Sequence, residues 1–221
     1  MRYAGTVMAT YRPHDRYFQK ARDKGLPSRA AFKLEELLER YRLVRAGSRV
    51  VDLGCAPGGW LAILGRAVNP GGRVVGVDLA PCRAVGANVR VVTGDIRDLG
   101  VRAQVAELLG GSAGLVTSDL APKLSGIADR DRARMEELLE TALAFACAML
   151  KPRGAMVAKV FMGPGLEDLM ASLKRHFGRV EIARTRATRP GSAELYVVAR
   201  DFHPSLNETE KEPPGGPMEG P

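Results

Sequence analysis

The chain is 221 residues long, 45% hydrophobic and 26% charged, which suits one globular domain with a full-sized core. Its formal net charge is +8, a balance that favours a polyanionic partner, nucleic acid before an acidic membrane surface. Cys55, Cys82 and Cys147 are widely spaced, with no CxxC and no clustered histidine, which argues against a disulfide framework and against a zinc site.

Residues 1–27, with YRPHDRYFQKARDKG at their centre, are polar, basic and aperiodic and read as an arm. Residues 1–49 hold twelve Lys/Arg against five Asp/Glu, so nearly the whole excess of charge lies at this end and argues for a binding surface. The arm lacks the apolar core of a secretory signal, and no apolar run reaches the length of a bilayer, so a cytoplasmic chain without a membrane partner is expected. A helix is expected from Ser28, which can cap it, with Ala31, Leu34, Leu37, Leu38 and Tyr41 on one stripe. Strands and helices then alternate. SRVVDLG, GRVVGVDLA, VRVVTGD, GLVTSDLAP and AMVAKVF read as strands. GGWLAILGRAV, RAQVAELLG, residues 130–150 (ended by KPRG) and LEDLMASLKRHFG read as helices. RVEIARTRA and AELYVVARDF are two further strands joined by a turn at Pro190-Gly191. The expected fold is α/β and Rossmann-like, a seven-stranded, mostly parallel sheet covered on both faces, with a C-terminal antiparallel hairpin. The acidic, Pro- and Gly-rich tail 203–221 is expected to be disordered.

The first strand runs into VVDLGCAPGGW, a glycine-rich turn ahead of a helix, where a parallel sheet places ligands. The spacing is neither that of a dinucleotide fingerprint nor that of a phosphate loop. Asp78 ends the second strand, nineteen residues after Gly59, where a carboxylate can accept both hydroxyls of a ribose. Asp52, Asp95 and Asp119 are expected at the neighbouring strand tips. Four acids on one edge repel pyrophosphate and suit a cofactor with a ribose, an adenine and a positive centre. S-adenosylmethionine fits that description.

The fifth strand carries Lys159 among Val157, Ala158, Val160 and Phe161. A lone strand lysine more often snorkels to solvent or pairs with an acid. Here Lys33, Asp119 and Glu194 are also polar residues at apolar positions, each on a different element. The segments YFQKARDKGLPSRAAFKL, VVDLGCAPGGW, GVDLAP, GDIRD, SDLAPKLSG, AKVFMG and ELYVVARDF follow one another across residues 15–202. In this series the chain resembles the FtsJ/RrmJ family of S-adenosylmethionine-dependent RNA ribose 2′-O-methyltransferases. The resemblance implies a catalytic tetrad of Lys33, Asp119, Lys159 and Glu194, and cofactor contacts from Gly58, Trp60, Asp78, Asp95 and Asp119. Lys123 departs from the polar neutral residue that many members carry there, and leaves the tetrad intact.

The resemblance further implies methyl transfer to a uridine of large-subunit ribosomal RNA, presented on the assembled subunit, by a monomer. The nearest alternative is a transfer-RNA 2′-O-methyltransferase. A non-catalytic RNA-binding assembly factor is a third reading, which the intact tetrad disfavours. Lys159 is expected either to accept the hydroxyl proton or to stay charged and position the hydroxyl. Arg12, Arg16, Lys20, Arg22, Lys24 and Arg29 can reach phosphates, and Tyr11, Tyr17 and Phe18 can stack on bases. Arg184, Arg186 and Arg189 form a second basic patch before Glu194.

Overall fold

The computed structural model describes residues 30–122, 125–163, 165–189 and 191–204. The arm, the capping position Ser28, Lys123 and nearly all of the tail lie outside the described residues. Twelve described elements follow in chain order: α1 (Ala30–Tyr41), β1 (Arg49–Leu53), α2 (Gly59–Val68), β2 (Arg73–Asp78), β3 (Val89–Thr93), α3 (Leu99–Leu109), β4 (Ala113–Ser118), α4 (Ala128–Met149), β5 (Leu150–Phe161), α5 (Leu166–Lys174), β6 (Phe177–Ala183) and β7 (Glu194–Phe202).

The strands form one seven-stranded sheet in the order β3-β2-β1-β4-β5-β7-β6. β3, β2, β1, β4 and β5 are parallel, while β7 runs antiparallel to both β5 and β6. The inner strands β1, β2, β4, β5 and β7 bury their apolar runs on both faces, as a covered parallel sheet requires, while the edge strands β3 and β6 are partly exposed. On one face α3, α4 and α5 pack over Val51, Val75, Val116 and Met156. On the other, α1 and α2 pack over Val50, Val74, Leu115 and Val157.

Local chemistry sets the element ends. Asp98 caps α3 by accepting from the Gly100 amide at 2.7 Å, and Gly110 closes that helix in the left-handed region at φ 65°. The α1 stripe holds as expected for Ala31, Leu34, Leu37 and Leu38, and Phe32 and Lys33 are buried with it.

Two expectations need correction. KPRG does follow the end of α4, at Met149, but β5 begins at Leu150 and takes these residues in, ahead of the expected AMVAKVF, with a register shift between its first pair with β4 and the rest. The four acids are not all strand tips. β3 stops at Thr93, two residues before Asp95, and Asp52 lies inside β1 and is fully buried. Asp119 follows the last residue of β4, and Asp78 ends β2.

Candidate active site

Strand order reverses across β1 and β4: β2 lies outside β1, and β5 lies outside β4. That switch opens a crevice at the carboxyl ends of the strands. On the face covered by α1 and α2, Gly76, Asp52, Thr117, Val157 and Val198 form one lateral row. Two residues nearer the carboxyl edge are Asp78, Gly54, Asp119 and Lys159, with Tyr196 paired to Lys159. The sheet therefore assembles the polar groups from four strands.

The catalytic candidates form two ion pairs. Lys159 Nζ stands 2.7 Å from Asp119 Oδ1 and donates to the Asp119 carbonyl at 3.1 Å. Lys33, from the first turn of α1, is buried and pairs with Glu194 at the start of β7. Burial raises the Asp119 carboxyl above its ordinary value, Lys159 opposes that rise, and Glu194 adds to it. All four predicted residues thus meet on one side of the sheet.

Sequence reasoning missed Tyr196, which supports this group. It is fully buried, donates its hydroxyl to Glu194 Oε1 at 3.0 Å, and lies with its ring centroid 6.0 Å from Lys33 Nζ. Strand alternation places it two residues from Glu194 on the same face, so its spacing in ELYVV was the available clue. Another missed contact is Glu36, one turn after Lys33. It accepts from the Arg186 amide at 2.9 Å and pairs with its guanidinium at 3.6 Å, tying α1 to the β6–β7 connection. There Thr185 and Ala187 are buried, while Arg184 and Arg186 face outward.

The cofactor candidates surround the β1–α2 turn. Asp78 accepts from the Ala56 amide through Oδ2 and from the Ala80 amide through Oδ1, each at 2.8 Å. It pins the turn and keeps lone pairs for two hydroxyls. Gly58 stands at the N-terminus of α2 with φ 103°, and a Cβ there would approach Cys82 Sγ to 3.4 Å. The Trp60 indole is buried and donates to the Ala30 carbonyl at 2.9 Å, so its ring is committed to the core. What Trp60 offers a ligand is its amide in the first turn of α2, where helix amides lack intrahelical partners. Next to Asp78, a cleft of about 210 Å³ is lined by Leu79, Ile96, Leu120 and Pro122, with Asp95 and Arg97 among its polar residues. Arg97 grips Asp95 through both carboxylate oxygens and holds that carboxyl below its ordinary value. An apolar cleft, a ribose-accepting carboxylate and free helix amides for a carboxylate fit S-adenosylmethionine.

The FtsJ-like methyltransferase family matches residues 26–202. The chain belongs to that family. It is an S-adenosylmethionine-dependent RNA methyltransferase. Among similar proteins, "Ribosomal RNA large subunit methyltransferase E" of Myxococcus xanthus is 44% identical over 189 residues, 85% of this chain and 89% of that one. The protein of the same name from Methanoculleus marisnigri is 43% identical over 201 residues, 89% and 95% of the two chains. A solved Plasmodium falciparum structure assigned as a ribosomal RNA methyltransferase superposes with a TM-score of 0.71 at 26% identity, covering 79% of this chain and 97% of that one. Within the family fold, the two ion pairs flank the crevice on the β5 side and the acids flank it on the β2 side.

Proposed function

We propose that this FtsJ-like methyltransferase moves the methyl group of S-adenosylmethionine to the ribose 2′-hydroxyl of a uridine in large-subunit ribosomal RNA, on the assembled subunit. The names of the relatives support the RNA class. The observation that carries the chemistry is the Lys159–Asp119 pair beside the crevice. An ammonium has three donors. Asp119 takes two of those of Lys159 through Oδ1 and its carbonyl, which leaves one for an entering hydroxyl. Asp119 fixes the direction of Lys159, while Lys33 and Glu194 form the wall on the β7 side.

In this arrangement Lys159 acts first as a positioner that holds the hydroxyl in line with the methyl group. In the alternative role it first gives up one ammonium proton to solvent and then, as the neutral amine, takes the hydroxyl proton as the methyl group is transferred. Asp78 would take the ribose hydroxyls of the methyl donor, the first-turn amides of α2 its carboxylate, and the cleft beside Asp95 its adenine. The donor supplies an electrophilic methyl group. The basic arm and the outward Arg184 and Arg186 supply phosphate contacts, and the binding is expected to weaken steeply with salt.

The test is single-turnover methylation with labelled donor, on transfer RNA, free ribosomal RNA and undermethylated large subunits, followed by mapping of the label. Label on a large-subunit uridine is expected; label confined to transfer RNA would overturn the substrate reading. The same assay across pH separates the two roles of Lys159. Near-normal turnover of Lys159→Arg would exclude it as the proton acceptor, because arginine stays protonated.

A further inference from the structure

Asp52 is the acid that the described contacts leave unexplained. It is fully buried in β1, at the strand switch beneath the crevice. The Thr117 hydroxyl donates to its Oδ1 at 2.7 Å, and Oδ2 has no hydrogen-bond partner among the described residues. Among the described residues, the neighbours around it supply no matching cation. β2 brings Gly76 alongside and Asp78 above it; β4 brings Thr117 alongside and Asp119 above it. The turn after β1 brings the Cys55 thiol, so close that a Cβ on Gly76 would meet Sγ at 2.8 Å. From the covering helices, α2 contributes apolar Trp60 and Leu61 to this core. Lys33 of α1 is matched by Glu194, and Lys159 of β5 by Asp119.

A buried carboxylate with two like-charged neighbours and no cation of its own is costly, so the free protein holds this group as the neutral acid. Burial, then the Asp119 and Asp78 charges, push it up to about 8, against the opposing Thr117 hydrogen bond. The methyl donor carries a sulfonium charge that its spent product, S-adenosylhomocysteine, lacks. We propose that Asp52 lets this site distinguish the two: it ionises when the cationic donor enters the crevice, releasing its proton to solvent, and is reprotonated when the neutral thioether is left. Asp52 is a charge-tuning residue under the site rather than a group that touches the reacting atoms. The proposal rests on the family's methyl donor and on no assumption about which RNA is modified.

The test is calorimetric titration of the full chain with S-adenosylmethionine and with S-adenosylhomocysteine. Pairs of buffers of different ionisation heat are used, from about pH 6 to about pH 9. The wild type is expected to release a larger fraction of a proton with the donor than with the product near neutral pH. Its preference for the donor rises with pH, by at most about tenfold per pH unit, and levels off above about pH 8. Asp52→Asn should lose both the extra proton and the slope. The ligands' own ammonium groups titrate against both proteins and cancel in that comparison. Thr117→Val removes the bond that favours the ionised form, so its levelling-off should move to higher pH. Equal proton release with both ligands, an unchanged slope in Asp52→Asn, or an unmoved Thr117→Val profile would each overturn the proposal. If Asp52→Asn fails to fold, the wild-type and Thr117→Val titrations still decide. Failure of the donor to bind at all would instead overturn its assignment as cofactor.

Discussion

Asp52 lies inside β1 and Asp119 follows the last residue of the adjacent parallel strand β4, two residues farther along the sheet, and burial acts on both in the company of different partners. Asp119 is largely buried but faces Lys159 at 2.7 Å, which counters the cost of its charge. Asp52 is fully buried, with a threonine hydroxyl as its one hydrogen-bond partner among the described residues, and burial drives it toward the neutral form. The same division separates the two halves of the site. On the β5–β7 side Asp119 and Glu194 each have a lysine; on the β1–β2 side Asp78 is held by main-chain amides and Asp52 by a threonine hydroxyl, and beyond them Asp95 is gripped by Arg97. A carboxyl's function here follows from its partner rather than from its position along the edge.

The largest break in that contrast is Lys159→Met. It removes the donor to the hydroxyl and strands Asp119, so single-turnover methylation should fall by about three orders of magnitude, while donor binding measured by calorimetry stays within severalfold. Glu194→Gln comes next, because it leaves Lys33 buried without a counter-charge. A loss of about ten- to a hundredfold in turnover and of about 2–4 kcal/mol in stability is expected. The double variant Lys33→Met, Glu194→Leu should recover most of the stability in denaturant melts without recovering the activity.

A third test concerns Asp52 in the absence of ligand. Its folded value of about 8 lies above its unfolded one, so the folded state binds the extra proton between those values. By linkage its contribution is fully present below the unfolded value and is lost as pH rises toward 8. Wild-type stability should therefore decline between about pH 5 and pH 8 more than that of Asp52→Asn, by about 1–3 kcal/mol in urea melts. An identical decline would mean that Asp52 is already ionised in the folded protein. The smallest effect is expected from Tyr196→Phe, which deletes one hydrogen bond to Glu194. About 1 kcal/mol of stability should go, with turnover falling less than tenfold and donor affinity unchanged.

Much of this architecture was legible in the chain. Apolar runs of strand length alternating with helical stripes announced the parallel sheet, and the absence of a helix between the last two runs announced the hairpin. Asp78 was placed correctly because the continuous apolar run of β2 stops at its charge. Asp95 was misplaced by two residues, since VRVVTGD continues in a strand-like pattern while the chain has already left the sheet at Thr93. KPRG marks the end of α4 as expected, but its Pro and Gly hid the start of β5, whose irregular first part it forms.

By itself, the sequence determined the elements, the glycine turn at the head of α2 and the four polar residues out of place on apolar elements. Only the tertiary structure decided who partners whom. Lys33 and Glu194 are 161 residues apart, and they meet because β7 inserts between β5 and β6 while α1 folds across that face. Asp52 and Thr117 are 65 apart, and they meet because β1 pairs with β4 rather than lying at the sheet edge. Local preferences act over a few residues, so they choose helix or strand. The charge on a buried group depends on its solvation and on neighbours within a few ångströms, and in this fold those neighbours come from other strands.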